Sequence, residues 1–327
     1  MTNPFASLVG LRGLATDVPV WVNDLPGMSS QLVSAVRKDD QSAAGTWERI
    51  NRLALGKLRS MLESEFNKTG EFAHTVAQTT VWNLKDVPLS VTNPVRLQGC
   101  RFRVPYAPYR QLVIQSLRVI VSGSAPVVLP LKVLDLKQGL LLEQVSVPRT
   151  AGLGPYSALN INLDVDMYGL DVFVGVDASV FSLLELGGTA RPLTGCSTAT
   201  MTAGEQIQSS PTPSGFTPTD TRVWIAATVS HSLDAIMSGY APDLSDCYAH
   251  LVAALLLTDK LASDRINLYT NTNREYAEEL EGKMQGEASL LLRPLARRMV
   301  NAINAAPSAI VVANPEDQPG YYVQSLV

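Results

Sequence analysis

From about residue 93 to residue 186, apolar and polar positions alternate with a period of two; on both sides of that block the period lengthens to three and four. Residues 159–166 are the clearest case, with Leu159, Ile161, Leu163 and Val165 on one side and Asn160, Asn162, Asp164 and Asp166 on the other. Successive strand side chains point to opposite faces, so this segment has one face in a core and one in water. Cys100, Phe102 and Val104 alternate with Arg101 and Arg103 in the same way, up to the turn-like Pro105-Tyr-Ala-Pro108. Residues 111–121 are apolar almost throughout, the pattern of a strand covered on both faces. Short turns at 122–126 and 137–139 join them to strands over 127–136 and 140–147, which predicts an antiparallel meander of the three. Pro130 marks an edge or a bulge in the second of these. Residues 159–166 and 170–176 predict a hairpin around Met167-Tyr-Gly169. About six strands in fewer than a hundred residues are the signature of a sandwich or small barrel.

The flanks read as helices. Ser29 or Ser30 can cap a short helix through about Arg37. Trp47, Ile50, Ala54, Leu58, Met61 and Leu62 recur at helical spacing and predict a second helix from about Ala43 to Phe66. After the block, Pro242-Asp243 opens a helix whose middle (Tyr248, Leu251, Val252, Leu255, Leu256) is apolar nearly all round. It should be buried and run to Asn267 or Leu268. Thr272 and Glu275 fit a capping box for a last long helix, with Ala277, Leu280, Met284, Ala288, Leu291, Leu295 and Met299 inward. Pro294 should kink or divide it. The expected fold class is α+β: an antiparallel β-sandwich of about six to seven strands flanked by N-terminal and C-terminal α-helices.

The remaining segments complete the expected organisation. Residues 1–28 form an apolar arm broken by Gly and Pro, which packs on the protein's own core or on a neighbouring subunit; helices occupy 29–68 and a polar linker 69–92. The sandwich core spans 93–186, a Ser/Thr/Pro-rich loop 187–221, and a returning strand 222–232. C-terminal helices fill 241–305, and 306–327 is a second apolar arm with Ile310-Val-Val and Tyr321-Tyr-Val between prolines.

Composition narrows the function classes. Of 327 residues 46% are hydrophobic and only 17% charged, and mean hydropathy is +0.10, which points to surface covered by partners in an assembly. A net charge of −4 supplies no general field for nucleic acid. Cys100, Cys196 and Cys247 lie far apart and read as buried reduced thiols. The first residues lack a signal-peptide pattern, and the apolar run at 251–257 is too short to span a bilayer, so the expectation is a soluble protein made in a cytoplasm.

Candidate chemistry is sparse. Asp164 and Asp166 share a strand face and can hold a hard cation, though a wet strand face explains them as well. His74, His231 and His250 lack ligand spacing, and Ser230-His231-Ser232 lacks the partners of a triad. There is no GxGxxG and no P-loop. Arg49, Arg52, Lys57 and Arg59 offer a basic strip for phosphate, against the alternative of a solvated helix face. Arg293, Arg297 and Arg298 could meet nucleic acid or an acidic partner, against the alternative that they neutralise their own helix C-terminus. Tyr106, Tyr109, Tyr156 and Tyr168 near loop tips give a second function class, a carbohydrate- or receptor-binding sandwich. No catalytic, cofactor-binding or metal residues are expected, and the chain does not read as an enzyme.

Four stretches carry a resemblance: Leu25-Pro-Gly-Met-Ser29, Thr46-Trp-Glu-Arg-Ile50, Leu131-Lys-Val-Leu-Asp-Leu-Lys-Gln-Gly-Leu-Leu-Leu-Glu143, and Ser263-Asp-Arg-Ile-Asn-Leu-Tyr-Thr270 with the Glu-rich helix 275–285. With these the chain resembles a family of structural proteins from tailed phages and prophages of Bacteroidota, including crAss-like phages. The resemblance implies a virion protein of the neck or tail: a head–tail connector, neck-ring or tail-completion subunit assembled in the host bacterial cytoplasm. Its partners would be itself in a homo-oligomeric ring and adjacent portal, neck or tail proteins, with no membrane and DNA at most passing through a ring lumen.

Overall fold

A computed structural model describes residues 3–36, 42–69, 72, 75–79, 85–86, 96–121, 127–149, 152–153, 157–177, 183–184, 186–187, 194–195, 199–207, 209, 211–218, 223–262 and 274–305. The chain divides into a helical unit, Met1–Phe72 with Leu233–Ala305, and a β unit over Ala73–Ser232. The β unit is thus an insertion between two halves of the helical one. The fold class is α+β, an antiparallel β-sandwich with helices N-terminal and C-terminal to it.

The helical unit contains α1 (Ser30–Ala35), α2 (Ala43–Thr69), α3 (Leu233–Gly239), α4 (Ala241–Leu261) and α5 (Arg274–Ala305). Ser29 caps α1 by accepting from the Leu32 backbone N–H at 3.3 Å. α2 buries Ile50, Ala54, Leu58, Leu62 and Phe66, one stripe at three- and four-residue spacing. α4 has no polar stripe along its middle, and residues from Leu244 to Leu257 are buried on almost every side. Each fully buried leucine contributes about 1.5–3 kcal/mol, so α4 is the axis on which α2 and α5 close. It ends at Leu261, short of the expected Asn267, where the Ala262 backbone N–H bonds back to Thr258 and Lys260. Thr272 lies outside the described residues.

α5 is one helix of 32 residues through Pro294, not two. Pro294 is on its exposed side, so the clash of the ring with the preceding turn displaces no core side chain. Its deeply buried positions in this half are Leu292 and Ala296, with Leu291 and Leu295 half-buried, one residue on from the expected stripe. Small Ala288 lets the helices approach closely enough for the Cys247 thiol of α4 to reach the Ala288 carbonyl, at 3.3 Å.

The N-terminal arm packs on its own unit, which settles the alternative left by the pattern. Phe5, Leu11 and Val22 are fully buried, and Phe5 stacks on Tyr248 with centroids 4.2 Å apart. The Tyr248 hydroxyl donates to Asn51 of α2 (2.8 Å to Oδ1) and accepts from Asn3 Nδ2 at 3.2 Å. Asn51 in turn donates to the Trp47 carbonyl at 2.8 Å. Burial pushes the Tyr248 hydroxyl well above its usual pKa, partly offset by the Asn3 hydrogen bond.

The β unit has ten strands of three residues or more: β1 (Thr75–Gln78), β2 (Arg96–Val104), β3 (Arg110–Val121), β4 (Val127–Asp135), β5 (Leu140–Arg149), β6 (Ser157–Asp164), β7 (Leu170–Asp177), β8 (Thr200–Ile207), β9 (Phe216–Pro218) and β10 (Val223–His231). One sheet runs β6-β3-β10-β1, extended by two-residue pairings, and the other runs β9-β8-β2-β7-β4-β5. All these pairings are antiparallel. Phe102, Val104, Val133, Val172 and Val174 from one sheet meet Leu112, Ile114, Ile161, Ile225 and Val229 from the other in a single core. β1 and β10, where the insertion begins and ends, are paired neighbours, with Thr75 opposite Ser230.

Three expectations about the β unit change. β4 and β5 form the expected hairpin, but β3 belongs to the other sheet, so there is no three-strand meander. β6 and β7 likewise lie in different sheets, and the Met167-Tyr-Gly169 segment is a corner between them. Alternation shows which face of a strand is buried, and both sheets of a sandwich satisfy it equally. The 187–221 segment is not one long loop: it contains β8, paired along its whole length with β2, and β9. Pro130 lies where β4 is flanked by β5 alone, since its pairing to β7 stops at Leu131.

Gly204, Gly99 and Gly175 stand opposite one another on β8, β2 and β7. A Cβ at Gly175 would come within 2.4 Å of the Phe173 ring, and one at Gly204 within 2.6 Å of the Phe216 ring. The two rings therefore lie along a trough that only glycines leave open. Beside them Arg101 is paired to Asp171 through two bonds of 2.7 and 2.8 Å and sits 5.5 Å from the Phe216 ring centroid.

Two outcomes check this packing. Tyr248→Phe leaves Asn51 Oδ1 and Asn3 Nδ2 without their partner and should cost about 1–3 kcal/mol in denaturant unfolding, with the helical fold retained. Cys100 and Cys247 are buried, and burial lifts both thiols from 9.0 to about 12. The folded thiol stays neutral while the unfolded one ionises, so stability is lost as pH rises from 9 towards 12. Each thiol should weaken folding by about tenfold per pH unit in that window. Unfolding titrations of Cys247→Ala should show a shallower loss between pH 9 and 12 than the parent. An equal slope would mean that this thiol ionises in the fold.

Candidate functional site

Two regions gather chemistry that the rest of the surface lacks. The first lies in the helical unit, where the last turns of α2 meet the second half of α5. Glu65, Lys68 and Thr69 of α2 and Arg293, Ala296 and Arg297 of α5 line a cleft of about 260 Å³. Lys68 pairs with Glu65 at 2.6 Å, and the Thr69 hydroxyl donates to the Phe66 carbonyl at 2.7 Å. Arg293 and Arg297 are exposed and four residues apart, so they project from one side of α5.

The C-terminal end of a helix carries partial negative charge on unpaired carbonyls, and cations beside it are stabilised. The arginine cluster was expected to neutralise its own helix end. α5 instead continues to Ala305, and the helix end that Arg293 and Arg297 flank is that of α2. Arg298 faces another way and pairs at 2.7 Å with Asp243 in the first turn of α4. The cleft is chemically suited to neutralising charge.

The basic strip on α2 is also taken up internally. Arg49 pairs with Asp259 of α4, and Arg59 with Asp234 of α3 at 3.1 Å. Those two cations tie helices together, while Arg52 is exposed and Lys57 half-buried. Asp164 and Asp166 are exposed, and Asp166 accepts from the Tyr168 backbone N–H at 2.8 Å to close the corner after β6. Among the described residues no three His, Cys, Asp or Glu side chains gather in a way that holds a metal. His231 is buried at the end of β10. His74, Cys196 and Tyr156 lie outside the described residues.

The second region is one end of the sandwich, where three turns meet. The Lys137 ammonium, in the β4–β5 turn, donates to the carbonyls of Tyr168 and Gly169 in the corner between β6 and β7. Gly169 lies against Val104, Pro105 and Tyr106 of the β2–β3 connection; a Cβ there would meet the Val104 carbonyl at 2.8 Å. Burial lowers the Lys137 pKa, and Asp166, Asp171 and Asp135 pull it back up. The cation thus ties the β4–β5 turn to the corner between β6 and β7.

Ten large apolar side chains are exposed among the described residues, and five of them are at this end: Leu140, Leu141, Leu142, Met167 and Tyr168, between 44% and 65% exposed. They amount to roughly 500 Å² of apolar surface, in the upper part of what a soluble monomer shows. Tyr106 and Tyr109 come to the same end but are half-buried, so of the expected aromatic platform only Tyr168 presents its ring. The patch escaped sequence reading because a run of three leucines next to a turn looks like the start of a buried strand. Val147 further along the same edge strand is buried, so the exposed large apolar side chains of β5 are confined to its start.

Among the described residues no helix is long and apolar enough to cross a membrane. No family model matches the chain, and no curated protein or solved structure matches it either. The patch and the cleft therefore stand on their own geometry.

Proposed function

We propose that this chain is a structural subunit of a tailed-phage virion, a head–tail connector, neck-ring or tail-completion protein that closes into a cyclic oligomer. The observation that carries the reading is the apolar end of the sandwich, where five large side chains are exposed on locked turns. Exposed apolar surface at the upper end of what a soluble monomer shows often marks a site of interaction. A subunit that repeats around an axis covers it with the next subunit, through a head-to-tail contact that closes when the rotation does.

The low share of charged residues, 17%, and the resemblance of four stretches to neck and tail proteins support the same reading. In it the partners are further copies of the chain and the adjacent portal, neck or tail proteins, and the protein resides in the virion after assembly in the host cytoplasm. DNA would pass through the lumen without being read. Of the platform tyrosines among the described residues, the carbohydrate reading has one open ring, Tyr168. Mass photometry of the purified chain, alone and with neighbouring virion proteins, should show discrete closed oligomers. Particles that stay monomeric under both conditions would sink the reading.

A further inference from the structure

The apolar end of the sandwich has a backbone feature that narrows what can cover it. β5 closes the six-stranded sheet, so the outer side of Leu140–Arg149 offers main-chain donors and acceptors that no strand among the described residues takes up. Natural edge strands are usually blunted by charge or proline. β5 carries Glu143, Pro148 and Arg149 further along, but its first three residues, Leu140, Leu141 and Leu142, carry neither. The register shifts here as well: Glu143 pairs with Val133 and Leu141 with Leu134, which leaves Leu142 without a β4 partner and turned out of the regular alternation. The bulge interrupts regular pairing at Leu142, so an occupant pairs with the main chain on either side of it and covers the exposed leucines.

One segment of the chain fits that requirement. α5 ends at Ala305, and 22 residues follow it. They hold Ile310-Val311-Val312, a β-branched run of high strand propensity, and Tyr321-Tyr322-Val323. Pro307, Pro315 and Pro319 flank these runs, and none falls within them. Ile310 lies five residues beyond Ala305, a reach of roughly 17 Å when fully extended, and the whole segment spans roughly 70 Å.

We propose that in the assembled protein Ile310–Val312 of a neighbouring copy adds as a strand to the edge of β5 and covers Leu140, Leu141 and Leu142, while Tyr321 and Tyr322 settle towards Met167 and Tyr168. Main-chain pairing supplies affinity in such strand addition, and the side chains on alternate faces supply register. The word neighbouring rests on the ring reading above; the docking of the segment on β5 rests on the edge and the patch.

The test uses the full-length chain with a photoreactive benzoylphenylalanine at position 141, prepared as an equal mixture of ¹⁴N- and ¹⁵N-labelled protein. The expected result is crosslinks from position 141 to peptides within 306–327, in mixed-isotope pairs. Crosslinks confined to other peptides, or same-isotope pairs alone, would overturn the proposal even where mass photometry shows intact rings. Loss of every oligomer would remove the ring reading too, and the photometry separates the two failures. Val311→Asp, which lies outside the helices and strands described, should lower the mixed-isotope crosslink yield at least about tenfold with the circular dichroism unchanged. An unchanged yield in that variant would overturn the assignment of the occupant.

Discussion

The helical unit depends on satisfying one buried hydroxyl. α4 is apolar on almost every side, and Tyr248 is the largest of its fully buried side chains. A phenol removed from water without a partner costs several kcal/mol, enough to offset the burial of one or two leucines. Asn51 and Asn3 remove that cost, and in doing so they fix two other things. Asn51 sets where along α4 the second helix lies. Asn3, with Phe5 stacked on the ring, sets where the N-terminal arm ends. An arm held only by apolar contacts can slide; one held by a directional bond to a buried oxygen has a register.

The same logic of a satisfied interior polar group recurs in the β unit. Arg101 points to the outer face of its sheet and is nevertheless buried, because Asp171 meets it with two bonds and the Phe216 ring covers it. The ring is able to lie there because Gly204 puts no side chain beneath it. Burying an ion pair contributes little net stability, and its stronger effect is on which strands lie side by side. β2 holds its place between β8 and β7 by that means as well as by its ladder.

Much of the fold was legible in the chain, and the parts that were not share a cause. Helix positions, the all-round burial of α4 and the inward faces of β2 and β6 follow from periodicity, which is local. Pairing is not local. Nothing within residues 159–176 distinguishes a hairpin from a corner, since Ile161 and Val172 are inward in both. β8 was hidden because its inward residues, Met201 and Ala203, are separated by Thr202 and followed by Gly204, a composition typical of loops. Its status as a strand comes from β2 beside it. The arginines of α5 show the same limit: their clustering was visible, but the helix end they flank lies more than two hundred residues away in sequence.

The surface that was least legible is the one on which the functional reading turns. Leu140, Leu141 and Leu142 are exposed while Val147 on the same edge strand is buried, and an apolar run by itself does not show which of its residues face solvent. A chain under selection only to remain a soluble monomer would be expected to place lysine or glutamate at those positions, because an apolar sheet edge invites pairing with other chains. Here the edge is left apolar, and the exposed Lys137 ammonium is bonded to the carbonyls of the adjoining corner. Locking the turns in this way reduces the ordering that a partner must impose when it docks, so more of the buried apolar area appears as affinity. An exposed apolar edge that is also rigid is the combination expected of a surface shaped for assembly.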